Sequence, residues 1–121
     1  MRPSASAAAE IVQHEITART PTVDYHVTYS DVPGLTRDNA GEFLDRLLDT
    51  IAEANSKHVK DRRSFEARGL PIRELHVEHD GVHERWRYFV QGGRAFQLGM
   101  VSEADDPPAA QRYFDSFAAR D

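Results

Sequence analysis

The sequence contains no cysteine. That absence excludes a disulfide scaffold, a thiolate nucleophile and any cysteine-ligated metal centre. Long apolar runs are missing as well: no stretch approaches the roughly 20 apolar residues that a membrane-spanning helix needs. The opening residues, MRPSASAAAE, lack the apolar core of a signal peptide. We therefore expect no membrane span and a location that is cytoplasmic for the chain as given, or extracytoplasmic if a leader was removed.

An excess of positive charge is also missing. The 15 lysines and arginines are outnumbered by 20 aspartates and glutamates, and the formal net charge is −5. Because nucleic-acid binding depends on neutralising phosphates with cationic side chains, we expect no nucleic-acid partner. The length of 121 residues and the 40% hydrophobic content fit one globular domain. We assign residues 1–9, which are rich in Ala and Ser, to a flexible segment and residues 10–121 to that domain.

The hydrophobic pattern predicts an α+β fold with an essentially antiparallel sheet. Alternation of apolar and polar residues is typical of half-buried strands, and recurrence every three to four residues is typical of helices. A four-residue loop, Arg19–Thr22, should join the first two strands, and Thr36 or Asp38 can cap the long helix. In chain order the pattern predicts strands over Glu10–Ala18 and Val23–Tyr29, a helix over about Asn39–Asn55, a strand over Val59–Ala67, three strands within Gly69–Met100, and a short helix begun by Asp106 and Pro107.

The segment Gly69–Met100 is the most informative part of the chain. Its turns, Asp80-Gly81 and Gly92-Gly93, are strong hairpin signals that fix the register of the three strands. Trp86 should then lie opposite Gly99. Apolar side chains fall on both faces of these strands, so we expect a helix on each face and an α/β/α sandwich.

The same segment resembles bacterial members of the Mog1/PsbP-like superfamily. The matching motifs are G-L-P-I-R-E-L (Gly69–Leu75), R-Y-F-V-Q-G-G-R-A-F-Q-L (Arg87–Leu98) and R-Y-F-D-S-F (Arg112–Phe117), and V-D-Y-H-V-T-Y-S-D-V-P (Val23–Pro33) resembles the strand before the first long helix. Two features depart from the family pattern. Ile72 replaces a usual glycine, and the usual opening strand is replaced by the Ala/Ser run, so the sheet edge is incomplete or completed by a partner.

The resemblance implies an antiparallel sheet between helices and a non-enzymatic role. Members of the superfamily are photosystem accessory subunits, a Ran-binding nuclear-import factor, bacterial lipoproteins and chaperones for secreted effectors. The superfamily has no common catalytic residues that could be transferred to this chain.

One candidate metal site comes from the predicted strand faces. His76, Glu78 and His83 share a face, and two imidazoles with a carboxylate are suitable ligands. Arg85, opposite His76, would repel a cation. We therefore prefer a solvated face of cross-strand charge pairs, formed by Glu74 with Arg87 and by Glu78 with His83, and we expect no cofactor.

The candidate binding residues are basic and aromatic. The basic ones form a local cluster in an acidic protein, which could contact an acidic partner, although strand alternation divides the cluster between two faces. Aromatic side chains could line a ligand pocket between sheet and helix, although core packing explains them equally well. The predicted binding residues are Arg62, Arg63, Arg68, Arg73, Trp86 and Tyr88.

These observations favour a non-catalytic, protein-binding or accessory module whose partner is an unidentified protein. A small-ligand-binding domain that uses the aromatic pocket is the alternative, and a metal-dependent enzyme centred on His76, Glu78 and His83 is a further one. A homodimer formed through an unpaired edge strand also stays open.

Overall fold

The computed structural model describes the backbone of residues 13–118 and the side chains of residues 17–117. Within this part of the chain, six strands and two helices follow one another in the predicted order and with nearly the predicted bounds. They are β1 (Gln13–Arg19), β2 (Val23–Asp31), α1 (Arg37–Ala54), β3 (Val59–Ala67), β4 (Leu70–His79), β5 (Val82–Gln91), β6 (Arg94–Ser102) and α2 (Pro107–Ala118). The segment predicted to be flexible, residues 1–9, lies outside the described residues.

The strands form one antiparallel sheet in the order β1-β2-β6-β5-β4-β3. The meander β4-β5-β6 has the predicted register: His79 pairs with Val82, and Trp86 lies opposite Gly99. The turn residues Asp80, Gly81, Gly92 and Gly93 all have positive φ angles, as two-residue hairpin turns of this type require. The residues of these two turns therefore set the register of β4, β5 and β6.

Helix α1 begins at a capping box. The Thr36 hydroxyl accepts a hydrogen bond from the Asn39 amide (3.3 Å), and the Asn39 side chain accepts one from the Thr36 amide (2.8 Å). The helix buries Ala40, Leu44 and Leu48. They form the core of the first face with Leu35, Leu75, Val77, Tyr88 and Val90.

Helix α2 covers the opposite face. The Asp106 carboxylate accepts a hydrogen bond from the Ala109 amide (3.1 Å), as predicted for its N-cap. Ala110 and Phe114 pack on Ile72, Phe89, Leu98 and Met100. The predicted fold class is therefore confirmed: an α+β fold in which an antiparallel sheet lies between two helices.

Two local predictions were wrong. The β1–β2 connection is tighter than four residues, because the Thr20 amide donates to the Val23 carbonyl (2.7 Å) and only Pro21 and Thr22 lie between them. The charge pair of Glu74 and Arg87 is not solvated. Helix α2 covers it, so the Arg87 side chain is 3% exposed while its guanidinium contacts Glu74 (2.6 Å) and Asp115 (3.1 Å).

Neither described helix combines the length and apolar character required to cross a lipid bilayer.

Candidate functional site

The predicted basic cluster divides between the two faces of the sheet, as strand alternation requires. On the α1 face, Arg62 contacts Asp49 (2.5 Å) and Arg73 contacts Asp45 (2.6 Å). Both arginines thus bind the acidic outer side of α1. The hydrogen bond from Arg73 is the main reason why the pKa of Asp45 lies below its ordinary value.

Arg63 lies on the α2 face, where its guanidinium is 3.2 Å from Glu74. Arg68 has different surroundings, because it belongs to the β3–β4 turn at one end of the sheet and lines a groove there. The four predicted arginines therefore form no common patch, and their assignment as binding residues stays a prediction.

The groove lies where three segments meet: the start of α1, the β3–β4 turn and the β5–β6 turn. Its volume is about 320 Å³, which is at the lower end for small-molecule and peptide side-chain pockets. The apolar part of its lining comes from Ala40, Leu70, Ile72, Phe89 and Val90, and its cationic side chains are Arg37 and Arg68. We call this feature the two-arginine groove.

Arg68 occupies a backbone conformation that disfavours arginine. Its φ angle is +56° and that of Gly69 is +76°, which matches the Asp80-Gly81 turn, with φ angles of +54° and +78°. Aspartate and asparagine tolerate this left-handed region, whereas for other residues with a Cβ it costs about 1–2 kcal/mol. The β4–β5 turn thus has a favoured residue at this position and the β3–β4 turn has a disfavoured one.

Arg37, at the first position of α1, connects the helix to this turn. Its guanidinium donates a hydrogen bond to the Gly69 carbonyl (3.2 Å). Both Arg37 and Arg68 are exposed. The groove therefore combines an apolar floor with two solvent-accessible cations, an arrangement that suits an anionic group attached to an apolar one.

The aromatic residues predicted to bind a ligand lie mainly in the cores. Tyr88 is 1% exposed and packs beneath α1. The Trp86 ring covers Gly99, and its indole nitrogen donates to Glu84 (3.0 Å). Neither residue lines the two-arginine groove, whose aromatic lining residue is Phe89.

A second polar cluster lies on the α2 side of the sheet, at the β4–β5 turn end. His76 Nε2 is 3.1 Å from His83 Nδ1 and 4.0 Å from Asp105 Oδ2. Glu78 lies 3.7 Å from the other nitrogen of His83. The two histidines predicted to share a face therefore meet. Asp105, which was not predicted, lies beside His76, whereas Glu78 lies beside the far nitrogen of His83. We call His76, His83 and Asp105 the histidine–aspartate cluster.

Arg85 sets the electrostatics of this cluster. It holds Asp105 through two hydrogen bonds, of 2.7 and 3.0 Å, and this contact lowers the pKa of Asp105. Burial, and then the charge of Arg85, lowers the pKa of His76. Both effects favour the neutral form of the His76 ring.

Sequence reasoning missed Arg37 and Asp105. Nothing in the local pattern distinguished Arg37 from other helical arginines. A signal for Asp105 did exist, because the predicted β5–β6 register places Ser102 opposite His83, so the acidic loop after Ser102 must start beside the histidines.

Comparison with known proteins gives a fold but no family. No protein-family profile matches the sequence, and no curated protein is significantly similar to it. The fold is similar to that of a Pseudomonas aeruginosa protein of unknown function described as a candidate regulator, with a TM-score of 0.52, 11% identity, and coverage of 91% of this chain and 81% of that one. The cyanobacterial PsbP of Synechocystis gives a TM-score of 0.49 at 14% identity, covering 91% of this chain and 79% of that one. At 11% identity, the similarity to the Pseudomonas aeruginosa protein concerns the fold alone. Membership of the Mog1/PsbP-like superfamily stays a prediction.

Proposed function

We propose that this protein is a non-catalytic binding module that captures a segment of another protein in the two-arginine groove. The partner segment presents a carboxylate next to an apolar side chain. The carboxylate lies between Arg37 and Arg68, and the apolar side chain packs on Leu70 and Pro71, which are the half-buried apolar residues of the β3–β4 wall.

The observation that supports this proposal most strongly is the unfavourable conformation of Arg68. A residue that raises the free energy of its own turn is expected where its side chain serves a function. Asp80 shows that the same turn geometry elsewhere in this chain has a favoured residue. A binding role for the long cationic side chain of Arg68, at the wall of an apolar groove, explains why arginine occupies this turn position.

The chemistry of the groove supports a carboxylate-bearing partner. Two guanidinium groups can bind an anion through paired hydrogen bonds. The protein has a net charge of −5, whereas the groove is lined by two cationic side chains. Such local complementarity increases specificity and the association rate.

The partner is unidentified, so the first test uses a displayed library of random peptides. Selection is carried out on the full-length chain, and the affinity of enriched peptides is then measured by fluorescence anisotropy. We expect enriched peptides to combine an acidic residue or a free carboxyl terminus with apolar neighbours, and Arg68→Asn to weaken their binding at least about tenfold.

Arg37→Gln should weaken binding similarly. Arg46→Gln is the matched control, because Arg46 is an exposed arginine of the same helix whose partner is Glu42. Peptides that bind the three variants and the wild type equally would refute the assignment of the site. If selection fails but native mass spectrometry detects a bound anionic amphiphile that Arg68→Asn loses, the site is a small-ligand pocket and the protein-binding proposal is wrong.

A further inference from the structure

We propose that the histidine–aspartate cluster is a site for one divalent transition-metal ion of the zinc type. The ligands are His76 Nε2, His83 Nδ1 and one carboxylate oxygen of Asp105. This site is separate from the two-arginine groove, and it departs from the sequence-based expectation that the protein needs no cofactor.

Three separate elements bring the ligands together. His76 belongs to β4, His83 belongs to β5, and Asp105 belongs to the loop between β6 and α2. One ligand atom from each side chain lies within 4.8 Å of the other two. The backbone register holds the two histidines as diagonal neighbours, since His76 pairs with Arg85 and His83 pairs with Glu78.

The distances are close to those of a coordinated ion. Two nitrogen ligands about 2.0–2.1 Å from a tetrahedral zinc ion lie about 3.4 Å apart. The two imidazole nitrogens are 3.1 Å apart, so an ion can enter with a small separation of the rings. The 4.0 Å between His76 Nε2 and Asp105 Oδ2 requires a shift of roughly half an ångström, which a loop residue can make.

The surroundings orient the ligands. Glu78 lies 3.7 Å from Nε2 of His83, and a negative charge near that nitrogen favours the tautomer that carries the proton there and leaves Nδ1 free to bind a metal. The side chains of His76, His83 and Asp105 are 12%, 19% and 29% exposed, so an ion can reach them from solvent. Two imidazoles and one carboxylate favour zinc, nickel or cobalt over magnesium or calcium.

Arg85 opposes the ion, and this effect gives the proposal a distinctive test. Its guanidinium binds the Asp105 carboxylate, so the ion must share that ligand with a positive charge a few ångströms away. Replacing Arg85 with an uncharged residue should therefore tighten metal binding by at least about tenfold. A histidine pair that is merely hydrogen-bonded would show no such dependence.

The experiment is zinc titration of the untagged, chelator-treated full-length chain by isothermal calorimetry. As a second readout on the wild-type protein, the visible absorption spectrum of bound cobalt reports ligation by imidazole and carboxylate groups. We expect one ion per chain and a rise in the unfolding temperature of several degrees at saturating zinc. His76→Asn and His83→Asn should each lose at least about a hundredfold in affinity.

The matched control is His79→Asn, in the same hairpin, where the His79 ring contacts Glu84 on the opposite face of the sheet. This variant should bind zinc like the wild type. Absence of binding to the wild type, or binding that survives both cluster substitutions, would overturn the proposal. An unchanged affinity in Arg85→Gln would overturn the placement of the ion at Asp105.

Discussion

Arg68 should lower the stability of the protein, and replacing it should raise that stability while weakening binding. The change is Arg68→Asn, which keeps the turn and removes the guanidinium. Arginine at a φ angle of +56° is disfavoured by contact between its Cβ and the backbone, whereas asparagine occupies this region readily. No buried contact is lost, because Arg68 is exposed.

The expected size follows from the backbone term alone. Relief of the left-handed conformation should raise the free energy of unfolding by about 1 kcal/mol, which is a rise of roughly 4 °C in melting temperature for a chain of this length. Arg68→Gly should gain less, because the added freedom of glycine in the unfolded chain offsets part of the gain.

The measurement is urea unfolding at equilibrium, followed by circular dichroism. The matched control is Asp80→Arg, which introduces the same strain into the other turn and should lower the stability by a similar amount. A loss of stability in Arg68→Asn would show that the arginine side chain supports the fold. The inference that it is retained for binding would then fail.

Three further predictions concern the core and its charges. Gly99→Ala should lower stability by about 1–3 kcal/mol, because a Cβ there would overlap the ring of Trp86; thermal unfolding should show a smaller loss when Trp86 is first replaced by leucine. Arg87→Leu should cost at most about 3–5 kcal/mol, because Glu74 loses its buried partner and keeps only the more exposed Arg63 as a counter-charge, and unfolding of the double variant with Glu74→Leu should reveal partial recovery. Asp45 has a lowered pKa, so its contribution to the free energy of unfolding is present above its ordinary pKa of 3.8. That contribution disappears as the pH falls through the folded-state pKa. The stability difference between wild type and Asp45→Asn should therefore be larger near about pH 7 than near about pH 3.

The sheet could be predicted in detail because its register depends on residues adjacent in sequence. The pairs Asp80-Gly81 and Gly92-Gly93 adopt the backbone angles of two-residue turns, and a two-residue turn leaves no freedom in the pairing that follows. The β1–β2 turn was predicted less well, since Thr20 and Val23 close a tighter turn that the composition of the loop does not reveal.

The environment of each charge could not be predicted. Arg85 and Arg87 are two residues apart in β5 and therefore share a face of the sheet. Arg87 is nevertheless buried beneath α2, whereas Arg85 binds Asp105 in an exposed loop. The sequence assigns both to one face, and the position of α2 over the sheet decides which of them is removed from water. The burial of the Glu74–Arg87 pair was missed for this reason.

The sequence by itself determined the order of strands and helices, the faces of the meander and the presence of a helix on each side. These properties depend on hydrophobic periodicity and turn chemistry, which act over a few residues. Only the tertiary structure decided which polar side chains meet. The two-arginine groove joins Arg37 to Arg68, and the second cluster joins Asp105 to His76. Such contacts depend on how helices and loops pack on the sheet; the strand register indicates only that the loop after Ser102 begins near His83.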